Sequence, residues 1–433
     1  MIRLAHTGSL ASLSDAERGS ILSRASSAET RGVSEAVRAI LERVEREGDA
    51  ALHALTRAHD GVDLDRLEVP RAAIERARAA LDAALVAGLE RAKRNLTRVH
   101  AASLPVASEV EVEPGVVVGR RPDPLAAVGI YAPGGRAAYP SSVLMGVVPA
   151  VVAGVGEIVV CSPPGPSGVP SDVVLAAAAI GGATRVFSLG GAQAIAALAY
   201  GTRTVPRVDR IVGPGNAYVA EAKRQVAGRV GIDAPAGPSE ILVVADETAD
   251  PAHVAREMVA QAEHDPDASC VTLAVGEAVA AAIVRALTAT VAEKADIVEA
   301  ALGARGAVLS IASLDDAWPF VAAYAAEHLL LAVRDAEAAL ANVRHAGTVF
   351  LGEASSVAFG DYLTGGNHVL PTAGAARSFS GLSTGDFFRW STWQRVDRRA
   401  AAAMAGDVAR LARAEGLPAH AAAAEAFAKG GAR

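Results

Sequence analysis

Nine short apolar runs separated by helix-like stretches fill residues 126–352, and this alternation constrains the fold more than any other feature. The first series is AVGIYA, EIVVCS, RVFSLGG and DRIVGPG; the second is EILVVAD, SCVTLAV, AVLSIA, HLLLAV and TVFLG. The runs are continuously apolar rather than alternating, as expected of strands covered on both faces in a parallel sheet. Two successive series predict an α/β chain with two doubly wound domains.

The flanks read differently. Residues 34–57 and 70–101 carry apolar residues at helical period, with Val37, Ile40, Leu41 and Val44 on one face. Residues 109–121 alternate, turn at Pro114-Gly115 and run back, which predicts a hairpin. The segment FFRWSTWQ, with Trp390 and Trp393, is aromatic-rich, and 398–414 reads as an Ala/Arg helix. Glu415 and His420 follow it, and Gly416 and Pro418 between them predict a loop.

Composition narrows the chemistry. Aromatics are 4% of the 433 residues and the formal charge is -7, which argues against a stacking platform or basic footprint for nucleic acid. Two cysteines, Cys161 and Cys270, exclude a disulfide scaffold and a thiolate zinc finger, and fit buried packing roles in a reducing cytoplasm. No apolar run reaches the roughly 20 residues of a membrane helix, and the first residues lack the apolar core of a signal peptide.

Three glycine-rich turns follow strand candidates: Gly134-Gly135 after Tyr131, Gly190-Gly191 before Gln193, and Gly213-Pro214-Gly215 before Asn216. None completes the dinucleotide fingerprint, and each also reads as a plain tight turn. They nevertheless recur at the carboxyl ends of consecutive strands, where open α/β sheets bind ligands. Gln261 and His264 share a helix face that stops at Asp265-Pro266. Imidazole, amide and carboxylate can hold zinc without sulfur, although a helix-end histidine also suits the helix dipole. Asp361 lies in a turn-like setting before TGGNH. Glu327-His328 stands against LLLAV, where a titratable pair is costly unless it is used or paired. His6, His53, His59 and His100 lie among surface charges and read as solvated.

Jointly, GIYAPGGRAAYPSSVLM, GGAQAIAALAYG, VGPGNAYVAEAKR, GIDAPAGPSEILVVAD, QAEHDPDA, AAEHLLL, GDYLTGGNHVLPT, FSGLSTGDF and AEGLPAH resemble the histidinol dehydrogenase family over nearly the whole chain. The resemblance implies oxidation of L-histidinol through L-histidinal to L-histidine with two NAD+. It implies one Zn2+ per subunit on Gln261, His264, Asp361 and His420, the last from the partner of a homodimer. It implies Glu327 and His328 as the catalytic pair. Ser239, Gln261, His264, His328, Asp361, Glu415 and His420 are implied substrate contacts, and Tyr131, Gln193 and Asn216 NAD contacts. His368 is implied near the site, with no assigned role.

The implied architecture is two incomplete Rossmann-like domains, 26–130 with 238–382 and 131–237, between an N-terminal segment 1–25 and a partner-reaching tail 383–433. A related zinc/NAD dehydrogenase of another polar alcohol such as sulfopropanediol is the alternative reading. A zinc hydrolase would not need the glycine turns, and a silent binding protein would not need the acid–base set.

Overall fold

The computed structural model describes residues 2–24, 30–134, 138–234 and 237–428. Gly135 of the first glycine turn therefore lies outside the described residues. Fourteen strands are described: β1 (His6–Ser9), β2 (Ser108–Glu113), β3 (Val116–Pro124), β4 (Ala127–Tyr131), β5 (Glu157–Ser162), β6 (Arg185–Ser188), β7 (Arg210–Val212), β8 (Gly231–Ile232), β9 (Glu240–Ala245), β10 (Ser269–Val275), β11 (Gly306–Ile311), β12 (His328–Ala332), β13 (Thr348–Leu351) and β14 (Phe388–Val396). The chain divides into two units, Met1–Ser103 with Ala126–Phe387, and Leu104–Leu125 with Phe388–Arg433.

The larger unit holds two all-parallel sheets. One runs β6-β5-β4-β7-β8, the other β1-β11-β10-β9-β12-β13. Numbered within each series, both have the order 3-2-1-4-5, so chain direction reverses across the sheet at β4/β7 and at β9/β12. The nine apolar runs are nine of these eleven strands, all but β1 and β8. β9 and β12 are buried at every residue, which is why their sequences show no two-residue alternation. β1 adds a parallel edge beside β11. Its sequence HTGS is too short and polar to announce a strand.

The helices cover the faces by close approach. A Cβ on Gly146, inside the helix Pro140–Ala153, would collide with the Ile130 side chain of β4. Only glycine lets that helix sit so near the sheet.

Three helical expectations need correction. The stretch 34–57 is two helices, Thr30–Glu47 and Asp49–Asp60, because Gly48 takes φ 59°, which a helix cannot contain. The stretch 70–101 breaks into Arg71–Ala80 and Ala83–Ala102, and Asp82 caps the second helix at the N–H groups of Ala84 and Leu85. His100 is buried rather than solvated. Its Nδ1 lies 3.1 Å from Thr384 Oγ1, which donates in turn to the His100 carbonyl.

The smaller unit is the predicted hairpin plus the tail. β3 pairs antiparallel with β2 on one side and β14 on the other. Trp393 lies across Gly119, where any side chain would strike the indole. The helix Arg398–Ala414 is capped by Asp397, and a second helix, Pro418–Ala428, returns along it with Ala409, Ala412 and Ala421 at the contact. His420 thus stands in the first turn of a helix, not on a loop. Pro418 initiates that helix, since proline is tolerated in a first turn. Among the described residues, no helix is long and apolar enough to cross a membrane.

Candidate active site

β12 pairs with β9 from His328 opposite Ile241, so the peptide groups of Glu240 lie just before the ladder begins. Glu327 and His328 take up both. The Glu240 N–H donates to Glu327 Oε2 at 2.7 Å, and its carbonyl lies 2.9 Å from His328 Nδ1. A carbonyl can only accept, so Nδ1 carries a proton and donates to it. Nε2 is buried without a hydrogen-bond partner, 3.6 Å from Asp361 Oδ1. Burial works against charge on His328, but the Glu327 and Asp361 carboxylates outweigh it and raise its pKa well above the ordinary value.

Asp361 was expected in a turn; instead it sits in the helix Val357–Tyr362. The Val357 N–H at the start of this helix donates to Glu257 Oε2 at 3.1 Å, tying it to the helix Pro251–Ala262. Gln261 is buried in the last turn of that second helix, and His264 is exposed just beyond it. Burial opposes ionisation of Asp361. The close approach of His328 and the fields of His368 and His264 prevail and hold its carboxyl below the usual range.

His368 bridges the two sheets' helices. Its Nδ1 lies 2.9 Å from the Asp361 carbonyl, and its Nε2 lies 3.2 Å from Ser142 Oγ in the helix after β4. Asn367 Nδ2 donates to the Met145 carbonyl of the same helix at 2.8 Å. Burial depresses the His368 pKa.

Whether this set suits a metal depends on its donors. An ionised carboxylate, an imidazole whose field it feels and a side-chain amide one helical turn away are a chemically suitable start for zinc. Among the described residues, no three His, Cys, Asp or Glu side chains form a metal-holding cluster. The expected set has only two such residues in the larger unit, His264 and Asp361, beside the amide of Gln261. His420 belongs to the smaller unit, as does Glu415, and both are exposed.

At the other sheet, the described glycine turns converge on Tyr131. Its hydroxyl accepts from the Gly191 N–H at 3.0 Å, and Gly213, at φ 118°, is packed against the Tyr131 carbonyl so closely that no side chain fits. Burial first, eased by that hydrogen bond, leaves the Tyr131 phenol pushed up to about 12. Gln193 is buried, while Asn216 is exposed and caps the next helix at the N–H groups of Tyr218 and Val219. A buried ion pair, Lys223 with Asp233, grips Gly213 from both sides. Lys223 donates to its carbonyl at 3.0 Å, and its N–H donates to Asp233 at 2.7 Å.

Ser239 precedes β9, and its carbonyl accepts from Ser269 N at 3.0 Å. Both cysteines are buried and burial pushes their thiols up, so neither is a nucleophile.

The sequence reading missed Glu240, Lys223 and Asp233. Glu240 carried a usable signal, a charge at the head of an all-apolar strand, the same argument that singled out Glu327.

Residues 23–427 match the sequence profile of histidinol dehydrogenase. A histidinol dehydrogenase of Halobacterium salinarum is 50% identical over 390 residues, covering 89% of this chain and 91% of that one. One from Methanothermobacter thermautotrophicus is 45% identical over 384 residues, covering 88% and 90%. The crystal structure of histidinol dehydrogenase from Elizabethkingia anophelis superposes with a TM-score of 0.94 at 33% identity, covering 99% of each chain. With this profile, these identities and that superposition, the chain belongs to the histidinol dehydrogenase family.

Proposed function

We propose that this chain oxidises L-histidinol to L-histidinal and then to L-histidine, reducing two NAD+ in turn. The observation that carries the reading is the Glu327–His328 pair, fastened to the backbone N–H and carbonyl of one residue, Glu240, so that the buried Nε2 of His328 is left without a partner.

In the first step His328 takes the hydroxyl proton while hydride leaves the carbinol carbon for NAD+. The aldehyde stays bound. Glu327 assists addition of water, and His328 takes the hydrate's proton as the second hydride leaves. The first oxidation releases one NADH and one proton; the second consumes one water and releases one NADH and, once the carboxylic acid ionises, two protons. A positioned base of this kind contributes about 10²- to 10⁴-fold.

Gln261, His264 and Asp361, with His420 from a second copy, would hold a zinc ion. When bound, the ion supplies an electrophilic anchor for substrate nitrogens. Ser239 and Glu415 would orient the substrate. Tyr131, Gln193 and Asn216 would line the dinucleotide, the first two by shaping the glycine turns from beneath.

The shared order 3-2-1-4-5 supports reading both sheets as incomplete Rossmann-like domains, with 26–130 and 238–382 framing 131–237, except that β4, which starts at Ala127, goes with the inserted sheet. The homodimer is supported by the smaller unit. Its helices meet through alanines, yet Val408, Leu411, Leu417 and Phe427 are exposed, surface that a second copy would cover. Placement in the cytoplasm fits the scarce, reduced cysteines.

The test follows NADH with L-histidinol and with a panel of other polar alcohols, with and without chelator. Two NADH per histidinol and loss on chelation are expected. Preference for another alcohol would replace the substrate assignment, and full activity of metal-stripped enzyme would remove the zinc.

A further inference from the structure

Beneath Glu327 and His328 lies a buried polar assembly that the proposed chemistry does not use. Arg24 ends the helix Asp15–Ser23 and reaches under the sheet. Its Nε lies 3.3 Å from Glu240 Oε1, its Nη2 donates to the Tyr324 carbonyl at 2.6 Å, and its guanidinium stacks 3.8 Å from the Tyr324 ring centre. The Tyr324 hydroxyl lies 2.7 Å from Ser269 Oγ, and Ser269 is paired with Glu240 across β10 and β9. The Ala373 N–H donates to Glu240 Oε1 at 2.6 Å.

Stability alone gives a poor account of this assembly. A buried ion pair often contributes less than well-packed apolar residues of similar volume. Here it is also incompletely satisfied: Arg24 Nη1 and Glu240 Oε2 have no hydrogen-bond partner.

Backbone strain points the same way. Among the described residues three non-glycine positions have left-handed backbone: Arg24 at φ 41°, Ala325 at φ 50° and Ala373 at φ 52°. One carries the guanidinium, one ends the helix just before Glu327, and one turns its N–H onto Glu240. Such strain persists where surrounding structure imposes it, and it clusters at functional sites.

We propose that Arg24 and Glu240 are positioning residues. By fixing the Glu240 side chain from below, Arg24 and the Ala373 N–H fix the one residue whose backbone N–H holds Glu327 and whose carbonyl holds His328. The proposal rests on the reading of Glu327–His328 as the acid–base pair.

The test uses the full-length enzyme with R24M, R24K, E240Q and E240D, and H328N in parallel. R24M and E240Q should lower kcat for histidinol at least tenfold, with KM for histidinol and NAD+ within about twofold. R24K should recover part of that loss. E240D, which keeps the charge but shortens the reach, should lower kcat with thermal unfolding close to wild type, and it serves if E240Q fails to fold. Nitrogen NMR of labelled histidine, at a pH high enough to neutralise the ring, should show that the ring assigned to His328 loses its single Nδ1–H tautomer in E240D.

An unchanged kcat in well-folded variants, or a rise in KM alone, overturns the proposal while an inactive H328N leaves the acid–base reading intact. An active H328N overturns both.

Discussion

The two parallel sheets share one winding order and present their candidate sites at opposite ends. The five-stranded sheet offers its carboxyl end, where the turns after β6 and β7 bring Gly191 and Gly213 against Tyr131. The six-stranded sheet offers its amino end, where Glu327, His328, Ser239 and Glu240 stand before or at the first residues of β12 and β9. The first mouth is mostly main chain, the second mostly titratable side chain. Helices begin at the carboxyl end of a parallel sheet and present free N–H groups, which suits a phosphate-bearing cofactor. At the amino end the β12/β9 ladder has not begun, and on that side the backbone N–H and carbonyl of Glu240 are available to hold two side chains. Topology sets where a mouth can be, and residue type sets what it does.

Disabling the amino-end mouth should have the largest effect. His328→Asn should lower kcat by about 10²- to 10⁴-fold with little change in NAD+ binding, measured by steady-state kinetics and calorimetry. Glu327→Gln should slow oxidation of added histidinal more than that of histidinol, which stopped-flow NADH traces would resolve. Equal slowing of both steps would remove its role in hydration.

Next comes the metal set. His264→Asn should reduce bound zinc and activity in parallel, read by elemental analysis of the purified protein.

The carboxyl-end mouth should respond differently. Gly213→Ala places a side chain against the Tyr131 carbonyl at φ 118°, a strain of about 1–3 kcal/mol. It should weaken NAD+ binding while histidinol binding survives. Equal loss of both would mean that the two mouths are not separable.

The smallest effect lies outside both mouths. Burial holds the His100 pKa below its ordinary value, with Asp386 partly offsetting it. The unfolded chain therefore takes up this proton first. The stability His100 contributes is present above the ordinary histidine range and is lost as pH falls through it toward the depressed value. His100→Gln should flatten the fall in urea midpoint between pH 7.5 and 5.5 (roughly the span of histidine titration). An unchanged slope would assign that fall to other groups.

Much of this was legible in the residues. The nine apolar runs are nine strands, since a strand buried on both faces can carry little but Val, Ile, Leu and Ala. The glycine turns and Glu327–His328 stood out because each breaks a local rule. Asp361 was misread because its local sequence is turn-like, whereas Glu257, a hundred residues away, caps its helix. Arg24 was invisible because it meets Tyr324 and Glu240 across spans of about 300 and 216 residues, from a helix end with no distinguishing pattern.

Sequence by itself therefore determined the parallel α/β architecture, the glycine-rich turns and the residue types able to do acid–base and metal chemistry. Those depend on periodicity, steric size and functional groups, all local properties. Only the tertiary structure decided at which end of each sheet the candidate residues gather, which residue's backbone holds Glu327 and His328, and which charges lie beneath them. Those are set by contacts between residues far apart in the chain.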